Sequence, residues 1–166
     1  IVDFMRLESK EKLWRHIHAT GSFGWKWMPE YVLEQGIDLA ANPQIVMQEY
    51  IYNMPTLMAA ADLVISRAGA STLNEIAVAG TPCIIVPSPN VTNNHQEKNA
   101  AILESHGAAV VLHENTCDGA LLYRTAKELL ADAPRREKMR RSLRKLAVLD
   151  STQRIYQIIT ELAEAR

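Results

Sequence analysis

Short apolar, β-branched runs recur along this chain, and what lies between them is helical in pattern, which leaves few folds open. The runs are RHIHAT around Ile17, QIVMQEY around Val46, DLVIS from Leu63 to Ser66, CIIVP from Cys83 to Pro87 and AAVVL from Ala108 to Leu112. Each has the length and composition of a strand. Between them, Pro29 to Gln35 stops at Gly36, Pro55 to Ala61 carries its proline in the first turn, Thr72 to Ala79 stops at Gly80, and His95 to Ser105 runs out near Gly107. Proline early and glycine late is how helices are punctuated: proline lacks only an N–H that the first turn leaves unused, and glycine takes the left-handed stop. Beyond Leu112 the strand pattern ends, and three helical stretches follow, Ala120 to Ala131, Pro134 to Ala147 and Thr152 to Ala165. Strands separated by helices pair in parallel, because a parallel neighbour needs a long crossover. The expected architecture is therefore α/β, a doubly wound parallel sheet covered by helices.

One domain spanning residues 1–166 accommodates this, since 166 residues with 48% apolar content can bury a single core. No repeat or low-complexity linker divides it. IVDFMRLESKEKL reads as helix with no capping residue before Ile1, so the chain is expected to begin inside an element of a longer protein. A net charge of −1, from 18 basic and 19 acidic residues, argues against a nucleic-acid partner. Cys83 and Cys117 stand far apart without metal-ligand or redox spacing, and no apolar run reaches the ~20 residues of a membrane-spanning helix.

In open α/β sheets ligands bind beyond the carboxyl ends of the strands, so loops leaving strands matter more than loops entering them. The entering loops, ANPQ, GTP and HGA, are plain stops. Those leaving, TGSFGW, SRAGAST and PSPNVTNNHQ, are long and rich in neutral hydrogen-bonding groups. Gly69 and Ala70 let a ligand approach the backbone, and Ser71 and Thr72 open a helix whose free N–H groups form an anion seat. Arg67 adds a full positive charge nearby. The rival reading is a capping box between Thr72 and Glu75 that merely starts the helix. A carboxylate such as Glu75, one turn beyond a phosphate seat, suits a ribose diol, as acidic residues do in nucleotide sites. The uncharged Pro87 to Gln96 loop suits sugar hydroxyls and is longer than the usual αβ connection. His16, His18, His106 and His113 lack ligand spacing and are read as structural or solvated. Trp14, Trp25 and Trp27 are read as core or cleft aromatics. The run RREKMRRSLRK, Arg135 to Lys145, is either a solvated helix face or a contact for anionic lipid head groups.

The stretch ADLVISRAGASTLNEIAVAGTPCIIVPSPNVTNNHQEKNA, with HATGSFGW and YIYNMP beside it, resembles the MurG family of bacterial peptidoglycan glycosyltransferases. These enzymes add N-acetylglucosamine to undecaprenyl-diphospho-muramoyl-pentapeptide, turning lipid I into lipid II. The resemblance implies the C-terminal, Rossmann-like half of a GT-B fold, lacking its first strand and glycine loop, with UDP-N-acetylglucosamine as donor. It also implies site roles. The backbone of Ile51 would face the uracil and Glu75 the ribose; Ala70, Ser71 and Thr72 would meet the diphosphate, with Arg67 and Gly69 shaping their loop. Thr20 and Gly21 would line the nucleotide side of the cleft, and His95, Gln96 and Asn99 would reach the sugar. Where the family often carries Gln-Gln this chain has His95-Gln96, which leaves open which of the two touches the sugar. An inverting displacement without metal or other cofactor is implied. The general base and the lipid-linked acceptor would belong to the N-terminal half, so no catalytic residue is expected here. Localisation would be cytoplasmic, peripheral on the inner-membrane surface. Two alternatives stay open: a stand-alone donor-binding subunit of a two-chain N-acetylglucosaminyltransferase, and a glycolipid synthase of similar fold.

Overall fold

The structure, a computed structural model, describes residues 1–164. In chain order its elements are α1 (Val2–Glu11), β1 (His16–Ala19), α2 (Gly21–Trp25), α3 (Met28–Glu34), β2 (Ile45–Gln48), α4 (Met54–Ala60), β3 (Val64–Ser66), α5 (Ala70–Ala79) and β4 (Cys83–Ile85). A 3-10 turn at Thr92–Asn94 then leads into α6 (His95–Ser105), β5 (Val110–Val111), α7 (Gly119–Ala131), α8 (Ala133–Leu146) and α9 (Ser151–Glu164). Ala165, the last residue of the expected final helix, lies outside the described residues.

All strand pairs are parallel, as the alternation requires. β1 pairs with β2 from His16 opposite Ile45 to Ala19 opposite Gln48, and β4 lies between β3 and β5. The sheet nevertheless comes in two pieces, β1–β2 and β3–β4–β5, with no ladder between them among the described residues. Within the second piece β4 is the central strand, and Cys83, Ile84 and Ile85 are fully buried. Such an unbroken apolar run is what a strand covered on both faces needs. The alternation of side chains sorts the layers. Cys83 and Ile85 join Leu73 and Ile76 of α5, Leu103 of α6 and Leu143 of α8 in one core. Ile84 points the other way, into a core with Phe4 of α1 and Leu122, Ala126 and Leu129 of α7. A third core, Met5, Met28, Val32, Ile37 and Ile45, covers the β1–β2 piece.

α1 is shared between the pieces. Phe4 packs edge-on against both His16 of β1 and Tyr123 of α7, and the buried Glu8 pairs with His16 Nδ1 at 2.8 Å. On the other side α4 packs against α5, with Met58 in the same core as Leu73 and Ile76. α5 itself ends at Gly80, whose left-handed φ of 66° forms the stop.

Candidate functional site

The carboxyl end of β3 leads directly into α5. The helix begins at Ala70, two residues before the expected Thr72, and its N-cap is Gly69 in an extended conformation with no side-chain cap. The first helical bond runs from Leu73 N to Gly69 O at 2.9 Å. Among the described residues, the N–H groups of Ala70, Ser71 and Thr72 therefore have no acceptor. The capping box is not formed: Thr72 is the third helical residue, and Glu75 makes no hydrogen bond among the described residues. What remains is an open helix terminus, with orphan donors and the positive end of the macrodipole. Glu75 is exposed and follows Ser71 and Thr72 by one turn, so the three share a helix face.

Two side chains of α6 hold the loop before that terminus. Gln96 Oε1 accepts from Ala68 N at 3.2 Å and from Ser88 N at 2.9 Å, while Asn99 Nδ2 donates to Ala68 O at 3.1 Å. The loops leaving β3 and β4 are thereby tied together. His95 is exposed, with Nδ1 at 2.8 Å from Thr92 O; because a carbonyl only accepts, this nitrogen carries the proton and Nε2 is left as an acceptor in the neutral ring. Asn93 and Asn94, with φ of 56° and 52°, make the left-handed bend before it, a conformation asparagine tolerates better than most residues.

Arg67 is engaged elsewhere than expected. Its guanidinium makes two parallel bonds to Glu114, at 2.8 and 2.9 Å, and a third to Val86 O at 3.2 Å. The order of residues places this cation beside the anion seat, and the family resemblance gives it to shaping the loop; in the structure its charge is matched by a carboxylate from the segment after β5. Hydrogen bonding from Arg67 holds the Glu114 carboxyl below its ordinary range. Arg67 thus laces together the ends of β3, β4 and β5 along a small cavity that Cys117 and Leu122 also line. Glu114 was missed in the sequence, where the only signal was an acid two residues after a strand-like run.

The remaining site residues lie on the β1–β2 piece. Thr20 N donates to Gln48 O at 2.9 Å and Gly21 N to Glu49 O at 3.0 Å, extending the ladder past β1. TGSFGW is not an open loop but the short helix α2. Beside it is a groove of about 570 Å³ lined by Trp25, Gln48, Glu49, Tyr50 and Tyr52, where the Tyr50 and Tyr52 rings meet edge-on at 5.1 Å. Trp25 is a groove aromatic, whereas Trp14 packs beside the second core. Ile51 buries its side chain, and its backbone N–H makes no hydrogen bond among the described residues. Hydrogen bonds thus join Ala68, Ser88, Gln96 and Asn99 into one set and Arg67, Val86 and Glu114 into another, and the two meet at the consecutive residues Arg67 and Ala68. Thr20, Gly21 and Ile51 form a separate group on the β1–β2 piece, which α1 and α4 join to the rest of the fold.

Comparison with known proteins matches residues 5–155 to the glycosyltransferase family 28 C-terminal domain. Curated relatives include the UDP-N-acetylglucosamine--N-acetylmuramyl-(pentapeptide) pyrophosphoryl-undecaprenol N-acetylglucosamine transferase of Oenococcus oeni, 38% identical over 100% of this chain and 44% of that protein. The protein of the same name from Halalkalibacterium halodurans is 34% identical over 93% of this chain and 42% of its own length. The chain thus spans less than half the length of these relatives. Among solved structures, Acinetobacter baumannii MurG superimposes with a TM-score of 0.72 at 28% identity, over 87% of this chain and 40% of MurG. The calicheamicin glycosyltransferase CalG4 shares the fold, with a TM-score of 0.59 at 20% identity. The architecture is that of one half of a GT-B glycosyltransferase, and the chain belongs to the glycosyltransferase family 28 C-terminal domain family.

Proposed function

We propose that this chain is the donor-binding part of an inverting glycosyltransferase that moves N-acetylglucosamine from UDP-N-acetylglucosamine to undecaprenyl-diphospho-muramoyl-pentapeptide. The observation that carries the reading is the uncapped start of α5: three free N–H groups, at Ala70, Ser71 and Thr72, one turn before an exposed and unpartnered Glu75. A diphosphate accepts from those donors, and Glu75 accepts from the ribose hydroxyls. The uracil lies at the Ile51 backbone beside the aromatic groove, with Thr20 and Gly21 lining the nucleotide side, and the sugar reaches His95, Gln96 and Asn99. As the acceptor hydroxyl attacks the anomeric carbon and UDP departs, negative charge grows on the β-phosphate. Fixed N–H donors aimed at that charge stabilise the transition state more than the ground state.

The chemistry assigned to this chain is positioning and charge stabilisation; the general base and the lipid-linked acceptor belong to the other half of the enzyme. A lipid acceptor places the working enzyme on the cytoplasmic membrane surface, and the exposed cations Lys138, Arg141 and Lys145 of α8 suit anionic head groups. The test is transfer by the full-length protein onto a lipid-linked muramoyl-pentapeptide, offered UDP-N-acetylglucosamine or UDP-glucose. The expected result is transfer from the N-acetylglucosamine donor alone. Equal use of UDP-glucose, or no transfer to this acceptor, would sink the reading.

A further inference from the structure

Gln96 and Asn99 each have half of their amide committed within the protein before any sugar arrives. Gln96 gives its oxygen to two backbone N–H groups from different loops, those of Ala68 and Ser88. Asn99 gives its nitrogen to the carbonyl of the same Ala68. Ala68 is fully buried, so water cannot replace either partner if the amide is lost. Gly69, the N-cap of α5, is the next residue, and any shift at Ala68 is carried into the terminus where the N–H groups of Ala70 to Thr72 are presented.

We propose that Gln96 and Asn99 are positioning residues for the diphosphate seat, a two-amide buckle from α6 that fixes the start of α5. The proposal rests on the donor reading above and adds to it: residues placed at the sugar also set the affinity for a nucleoside diphosphate that carries no sugar. The buckle fixes amide polarity as well. With both lone pairs of the Gln96 oxygen taken, its nitrogen is the group left to a ligand, a donor; with one Asn99 N–H given to Ala68, its oxygen and its second N–H are left. His95 bonds only to Thr92 O and has no part in the buckle.

The test is calorimetric titration of the full-length protein with UDP and with UDP-N-acetylglucosamine. Gln96→Leu is expected to weaken UDP about tenfold, and UDP-N-acetylglucosamine by at least as much, because the buried Ala68 N–H and the half-buried Ser88 N–H lose their acceptor. Asn99→Ala is likewise expected to weaken UDP, and UDP-N-acetylglucosamine by at least as much, because the Ala68 carbonyl loses its donor. Asn74→Ala controls for general loosening: it cuts the pair of bonds between the far side of α5 and the backbone of Val148, and should lower the melting temperature while sparing UDP affinity. If Gln96→Leu and Asn99→Ala weaken UDP-N-acetylglucosamine but leave UDP alone, the two side chains are sugar contacts only and the proposal is wrong. Asn74→Ala weakening UDP as much as Gln96→Leu would equally overturn it. A wild-type protein that fails to bind UDP overturns the donor reading itself, and this proposal with it.

Discussion

Gly69 adopts φ −67° and ψ 134°, a conformation open to any L residue. A Cβ built there meets only Thr72 Oγ1, at 3.7 Å. Nothing in the fold demands glycine at this position, so a requirement for it has to come from a ligand approaching the backbone. Gly69→Ala should therefore fold as well as the parent, or be up to about 1 kcal/mol more stable because alanine restricts the unfolded chain, yet bind UDP more weakly. A thermal melt and a titration on the same sample check this. Undiminished affinity would show that no ligand comes close at Gly69. Arg67 teaches the opposite lesson. Read along the chain it was the obvious phosphate cation, but its partner Glu114 is 47 residues away, a pairing that only the closed fold brings about.

The strand centres and most helix limits were legible because they are local: β-branched runs, early prolines and late glycines act within a few residues. The start of α5 was misplaced by two residues because its cap is a glycine backbone, while sequence signals favour a Ser or Thr side chain. TGSFGW reads as a loop by its length and its neutral hydrogen-bonding groups, yet it forms α2, where Gly24 is a packing glycine, buried with Thr20 Cβ 3.1 Å from where its own Cβ would stand. The division of the sheet into β1–β2 and β3–β4–β5 was not legible from these runs, since pairing is a non-local property. β1 supplies a pH prediction of its own. Burial, then the neighbouring His16, hold His18 down to about 4 from its ordinary 6.5. Between those values the unfolded chain binds more protons than the folded one, so stability falls as pH drops through that window, by up to about 1.4 kcal/mol per pH unit. His18→Gln should flatten the acid limb of a melting-temperature profile between roughly pH 6.5 and 4. An unchanged slope would mean that His18 titrates normally in the fold.

Across the whole molecule, rigidity is unevenly spread. β4 is buried on both faces, whereas α9 buries none of its described residues and leaves Ile155, Tyr156, Ile159 and Leu162 exposed. A helix of 14 residues without packing support is marginal in water. Hydrogen exchange on this chain should show α9 losing protection first and β4 with the core face of α5 last; equal protection would mean that α9 is held by contacts the fold does not contain. The cluster at the carboxyl ends of β3, β4 and β5 sits on the rigid part, which suits a site whose work is to hold donors still while charge develops. The central claim is that the open end of α5 receives the diphosphate while Glu75 takes the ribose. Calorimetric titration of UDP into the wild-type protein and Glu75→Ala tests it most directly. Because Glu75 is exposed and unpartnered, the substitution should leave the melting temperature unchanged while weakening UDP by roughly ten- to a hundredfold, the worth of hydrogen bonds to a charged group. UDP binding unaffected by Glu75→Ala in a folded sample would contradict the account.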